Sequence, residues 1–205
     1  LKGYGLEELG IETNRTIVTN DYLETLYPNI FAAGDIVGPY QFTHMASHQA
    51  WFAAVNSLLG VFKKFKVDYS IVPRATFTDP EIASVGKLES ELKAASVPYE
   101  SIVFALDDMD RALAEGEAKG FIKVLTKQGS DKILGATIVG VHAGELLTEF
   151  ISAMKNGYGL NRILGTIHIY PTFSEANKYM AGQWKRRHAP QWALSILEKV
   201  HGFLR

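Results

Sequence analysis

Two seven-residue stretches, Gly120–Thr126 and Ile133–Val139, flank the polar run Lys127-Gln-Gly-Ser-Asp-Lys132, and this pattern constrains the chain most. One face of each stretch is apolar, and Gly129 supplies the conformational freedom that the turn needs, so the pair reads as an antiparallel hairpin covered on one side. Around it, Ala75–Thr78 and Ile82–Val85 flank a turn at Asp79-Pro80, and Tyr99–Leu106 reads as extended. These strands predict a single antiparallel sheet, with a short helix over Glu89–Ala95.

The helices that cover such a sheet are legible from their spacing. Leu147, Phe150, Ile151 and Met154 form an apolar stripe ending near Asn156-Gly157, and a further helix is expected after Pro171. The last segment, Gln191–Leu204, sets Ala193, Ile196, Leu197, Val200 and Leu204 along one side and is entered through Pro190. Earlier in the chain the texture differs: Thr16–Thr19 and Asn29–Ala33 read as short strands, and Thr43 to about Lys63 as a helix. Lys63, Lys64 and Lys66 form a polar boundary, which puts a domain junction near Asp68.

Charge narrows the partners. With 21 basic against 22 acidic side chains the net charge is −1, which does not favour nucleic acid or an anionic membrane as partner of the chain as a whole. Cysteine is absent, so no disulfide, thiolate zinc site or thiol nucleophile lies within these residues, and no metal site is expected. A cytoplasmic setting suits that composition. The apolar stretch Ala46–Phe62 is broken by His48, Gln49 and Asn56 and makes a poor membrane span.

Two constellations carry chemistry. In Thr25-Leu-Tyr-Pro-Asn-Ile-Phe-Ala-Ala-Gly-Asp35, an apolar run ends in Gly34-Asp35, where bare backbone admits a ligand and a carboxylate accepts from its hydroxyls. Gly38 and Gln41-Phe-Thr-His-Met-Ala46 follow and open the long helix, whose amino end favours anionic character in a bound ring or phosphate.

This pattern, with Thr-His-x-Ala after Gly-Asp, resembles the second FAD motif of the FAD-dependent pyridine nucleotide:disulfide oxidoreductase family, which includes dihydrolipoamide dehydrogenase, glutathione reductase, mercuric reductase and soluble transhydrogenase. The resemblance implies that Asp35, beside Gly34, bonds the ribityl or pyrophosphate region of FAD. It also implies that Thr43, His44, Met45 and Ala46 bring the helix start to the pyrimidine edge of the flavin; His44 reads equally as a surface residue. Pro73-Arg74, Phe77-Thr-Asp-Pro-Glu-Ile-Ala-Ser-Val-Gly86, Gly120-Phe-Ile-Lys-Val, Ile133-Leu-Gly-Ala and His142-Ala-Gly-Glu-Leu resemble, in order and spacing, the same family's dimerisation domain.

The third match is Ile167-His-Ile-Tyr-Pro-Thr-Phe-Ser-Glu-Ala176. In dithiol-oxidising members a His-Pro pair stands here as acid/base, reaching the partner's flavin and disulfide, with a Glu downstream to orient it. This chain has Tyr170 before Pro171. A phenol of ordinary pKa ~10 is a poor neutral-pH base beside an imidazole of ~6.5, so with Tyr170 and Glu175 as the catalytic candidates ordinary lipoamide or glutathione chemistry is not favoured. His168 falls on the same side of an extended chain as Tyr170, but roughly 6.6 Å away. Thr172-Phe-Ser-Glu175 also reads as a capping box, leaving Glu175 between a structural and an orienting role.

The expected fold is therefore α+β: an antiparallel-sheet dimerisation domain flanked by helices (68–182), preceded by a strand-helix remnant of an α/β FAD-binding domain (1–67) and followed by a helical tail (183–205). By the resemblance, an amino-terminal part not in this sequence supplies the glycine-rich loops for FAD and NAD(P)H and any redox-active cysteine pair. Two readings follow. The parent is a homodimeric oxidoreductase passing electrons from NAD(P)H through FAD to a disulfide, metal ion or other acceptor; alternatively, the fragment alone is a non-catalytic homodimerisation module that retains no flavin. In the tail, Lys185-Arg-Arg-His188 and the helix with Trp192 read either as a surface packing onto its own dimer, the favoured expectation, or as a membrane-surface or partner element.

Overall fold

A computed structural model describes residues 1–203, and the chain divides into two compact units, Leu1–Tyr69 and Ser70–Arg205. In the first unit a two-residue ladder pairs β1 (Thr13–Asn14) with β2 (Thr16–Ile17), and one long helix, α1 (Thr43–Leu59), follows. A small core gathers Ile11, Ile17 and Ala32.

The expected strand at Asn29–Ala33 does not form. Only a single bridge, Glu24 with Phe31, is made, because this stretch finds no neighbouring strand in the chain and closes instead on its own loop through Thr25 N–H to Ile30 O and Ala32 N–H to Leu23 O. Helix α1 also stops short of Lys63. The buried Asn56 donates to Tyr22 O and Phe65 O and accepts from Phe65 N–H, clamping the chain that leaves the helix.

The second unit runs β3 (Arg74–Thr76), β4 (Glu81–Gly86), α2 (Glu89–Ala94), β5 (Tyr99–Ala105), α3 (Asp110–Glu115), β6 (Phe121–Lys127), β7 (Ile133–Gly140), α4 (Ala143–Lys155), α5 (Leu160–Gly165), α6 (Glu175–Arg187) and α7 (Gln191–Phe203). The five strands form one antiparallel sheet in the order β3-β4-β7-β6-β5, with an irregularity in the β6 to β7 register between Leu125 and Thr126. The expected hairpin is its centre.

Register explains the core. Ala83 and Val85 stand opposite Ile138 and Ala136, which face Ile122 and Val124, and Val124 faces Ile102, so one continuous apolar sheet of side chains points the same way. Helix α4 covers β7 and β4, and α6 covers β5 and β6. Phe150 is wholly buried in this layer, with Leu147, Met180 and Trp184. The apolar stripe expected on this helix packs as the spacing predicts, with Leu147 and Phe150 in the core and Ile151 and Met154 partly buried against it. The exposed apolar side chains of this unit include Ile167, Ile169 and Tyr170 on the loop before α6. Two six-residue helices, α3 and α5, had no counterpart in the sequence reading.

Candidate functional site

The first candidate centre is the turn after Ala33. Gly34 has φ +84°, and a Cβ there would sit 3.3 Å from the Ala46 Cβ, so only glycine lets the turn lie against the first turns of α1. Gln49, wholly buried one turn further on, locks it: its Oε1 accepts from Gly34 N–H at 2.6 Å, while its Nε2 donates to Gly38 O at 2.9 Å and to the Tyr69 hydroxyl at 2.8 Å. Val37 N–H and Gly38 N–H both return to Gly34 O. Asp35 is thereby held at the surface with its carboxylate exposed, and its carbonyl accepts from Gln41 Nε2.

The helix start beside this turn is open. Phe42, the capping residue, is extended and no side chain caps the helix, and the first turn carries no acidic residue. Thr43 and His44 are exposed, Met45 is buried and Ala46 half-buried, with Phe42 stacked on His44 at 5.1 Å. A bare glycine turn, an exposed carboxylate and a helix end with no side-chain cap fit one face of a nucleotide cofactor, whose hydroxyls need an acceptor and whose anionic part needs the helix dipole. Gln49 was missed in the sequence as a functional residue. The available signal was its position four residues after Met45, a polar amide within a buried stripe.

The second candidate centre lies in the other unit, on the loop between α5 and α6. Tyr170 is 65% exposed, precedes a cis peptide to Pro171, and donates its hydroxyl to Asp110 Oδ2 at 2.7 Å. The carboxylate of Asp110, at the start of α3, raises the Tyr170 pKa above its ordinary value, and Glu175 adds to the shift. Tyr170 is thus fixed as a protonated donor around neutral pH. Glu175, nearly buried, accepts from Thr172 N–H at 3.2 Å and from the Tyr179 hydroxyl at 3.3 Å, and it raises the Tyr179 pKa as well. The capping interaction between Glu175 and Thr172 is present, although the helix proper begins after Ser174. Phe104, Met109, Asp110, Tyr170, Glu175 and Tyr179 line a cavity of about 330 Å³.

His168 does not share the side of Tyr170. Its ring is tucked in, Nδ1 lying 3.0 Å from Thr166 O and Nε2 3.1 Å from Glu149, a carboxylate that also accepts from Asn177 Nδ2 at 3.0 Å. The segment is not a strand, so the two-residue alternation fails, and Glu149 of α4 captures the imidazole.

Residues 72–181 match the pyridine nucleotide-disulphide oxidoreductase dimerisation domain, and residues 2–50 match the pyridine nucleotide-disulphide oxidoreductase family. Among curated relatives, a dihydrolipoyl dehydrogenase of Chlamydia muridarum is 38% identical over 173 residues, covering 83% of this chain and 37% of that protein. A mercuric reductase of Streptomyces lividans is 33% identical over 181 residues, 87% of this chain and 38% of the relative. Of solved structures, LpdA from Mycobacterium tuberculosis superposes with a TM-score of 0.81 at 28% identity, over 89% of this chain and 40% of that one. The flavoprotein disulfide reductase RclA from Escherichia coli shares the fold, with a TM-score of 0.80 over 86% of this chain and 41% of that one. The chain belongs to the pyridine nucleotide-disulphide oxidoreductase family. It spans little more than a third of the length of the curated relatives it matches, 37% in the first.

Proposed function

We propose that this chain is the carboxy-terminal part of a homodimeric, cytoplasmic flavoprotein oxidoreductase, with residues 1–67 completing an FAD-binding domain, 68–182 forming the dimerisation domain and 183–205 a helical tail. The observation that carries the reading is the Gln49 lock, which holds the Gly34-Asp35 turn against the open start of α1. FAD, when bound, would take electrons from NAD(P)H and pass them to a disulfide, a metal ion or another acceptor. Asp35 would accept from the cofactor's hydroxyls, and the helix start from Thr43 to Ala46 would face its anionic edge.

The Tyr170 loop argues for the choice of acceptor. A phenol whose pKa is raised by Asp110 donates a hydrogen bond and does not accept a thiol proton near neutral pH. With its one hydrogen committed to Asp110, the Tyr170 oxygen is left to accept from an N–H or O–H of a bound acceptor, and Glu175 holds the loop through Thr172. His168, engaged with Glu149, is not free to stand in as base. Acceptors whose reduction needs no proton transfer with a thiol at this slot are favoured over the lipoamide and glutathione disulfides.

The test is to purify the protein, measure its flavin absorbance and follow NAD(P)H oxidation with lipoamide, glutathione disulfide, mercuric ion and a second, oxidised nicotinamide nucleotide. Bound flavin with turnover on an acceptor other than lipoamide or glutathione disulfide supports the proposal, and efficient lipoamide turnover that survives Tyr170→Phe refutes the acceptor reading. A colourless, dimeric chain favours the alternative, a homodimerisation module that keeps no flavin.

A further inference from the structure

The tail lies beyond the matched dimerisation domain, which ends at residue 181. Its helix α7 is amphipathic: at about 100° per residue, Trp192, Ile196, Val200 and Leu197 fall within an arc of roughly 140°, with Ser195, Glu198, His201 and Gly202 on the other side. Every one of those four apolar side chains is open to solvent, Trp192 at 71% and Ile196 at 53%. Among the described residues no helix or strand makes more than a marginal contact with α7.

The base of the helix is nevertheless fixed. His188 pairs with Glu100 at 2.7 Å and stacks at 4.2 Å on Trp184, which is buried in the domain core, so α7 leaves the domain from an anchored point. The charge of this segment is opposite to that of the rest. Residues 185–205 hold Lys185, Arg186, Arg187, Lys199 and Arg205 against Glu198 alone, in a chain of net charge −1. Arg186 and Arg187 are exposed at the helix base, and Lys199 lies at the edge of the apolar arc.

We propose that α7 is a membrane-surface helix that lays its apolar face into an anionic lipid bilayer, with the basic residues around its base against the headgroups. Charge complementarity selects this occupant. Two copies paired through the same face would bring two net-positive tails together, whereas anionic lipid neutralises both. A thirteen-residue helix is about 20 Å long and cannot cross a hydrocarbon core of about 30 Å, and no described helix is long and apolar enough to span. An interfacial position satisfies both the exposed tryptophan and the cations.

The purified chain would be sedimented with large vesicles of phosphatidylglycerol and phosphatidylcholine in equal parts, and with phosphatidylcholine alone. The expected result is binding to the anionic vesicles about tenfold or more tighter than to neutral ones, weakened by salt, with a blue shift of tryptophan emission that Trp192→Phe removes. Ile196→Ser with Val200→Ser should abolish binding while circular dichroism and thermal unfolding of the domain stay unchanged; Arg187→Gln with Lys199→Gln should remove the salt-sensitive part. Equal binding of wild type and the Ile196/Val200 variant, or no binding to anionic vesicles, would overturn the proposal. So would an oligomer that dissociates in the Ile196/Val200 variant with no vesicle binding, since that assigns the face to a second copy.

Discussion

Tyr170 donates its phenolic hydrogen to Asp110 across 2.7 Å, tying the exposed loop before Pro171 to a carboxylate sixty positions earlier in the chain. That geometry sets the sign of a first test. The hydrogen bond to Asp110 favours the neutral phenol and raises its pKa. Asp110→Asn should therefore let Tyr170 ionise at lower pH than in the wild type. Ultraviolet difference titration against Tyr170→Phe isolates this one phenol, and an unchanged midpoint would break the link between the two residues.

A second test concerns acid stability. Glu89, at the start of α2, bonds Lys123 of β6, the Tyr99 hydroxyl at 2.8 Å and Lys93 at 3.2 Å, and these partners, Lys123 foremost, hold its pKa at about 2. A depressed carboxylate contributes stability that is complete above its unfolded value near 4.5 and is lost as pH falls toward the folded value. Glu89→Gln should lower Tm at neutral pH, and its deficit should shrink between about pH 4.5 and pH 2 until the two proteins unfold together. Thermal unfolding across that window reads the outcome directly; a constant deficit would assign the effect to packing.

Gln49 supports a third. Its amide bridges Gly34 N–H, Gly38 O and the Tyr69 hydroxyl. Gln49→Leu keeps the volume but leaves two buried backbone groups without a partner, and should cost about 3 kcal/mol of stability in the first unit. Urea unfolding followed by the tryptophan of α1 would measure it. Flavin retention should fall in parallel, since the turn loses its template.

These sites also mark where sequence reading succeeds and stops. The β6 and β7 hairpin was legible because strand alternation is a local property and both partners lie in this chain. Asn29–Ala33 carried the same apolar signal and formed only one bridge, because a strand exists only where a neighbour accepts its hydrogen bonds. Gly34 and Asp35 stood out by type, whereas Gln49 did not: a glutamine in a helix looks solvent-facing until its i, i+4 relation to the buried Met45 is weighed. Asp110 and Glu149 were out of reach altogether. Their pairing with Tyr170 and His168 depends on how α3 and α4 are set against the loop, which no local pattern encodes.

The last prediction separates shape from charge at the proposed flavin turn. Gly34→Ala forces a side chain into a left-handed conformation and pushes its Cβ onto that of Ala46, so it should cost about 1–2 kcal/mol and disturb the turn together with α1. Asp35→Asn changes neither backbone nor packing, because the carboxylate is exposed and the Gln41 contact goes to its carbonyl. Both variants should lose flavin, measured as the ratio of flavin to protein absorbance after gel filtration, but only Gly34→Ala should also shift the unfolding midpoint. If Asp35→Asn holds flavin as tightly as the wild type, the exposed carboxylate is not the acceptor for the cofactor's hydroxyls, and the turn would contribute only its shape.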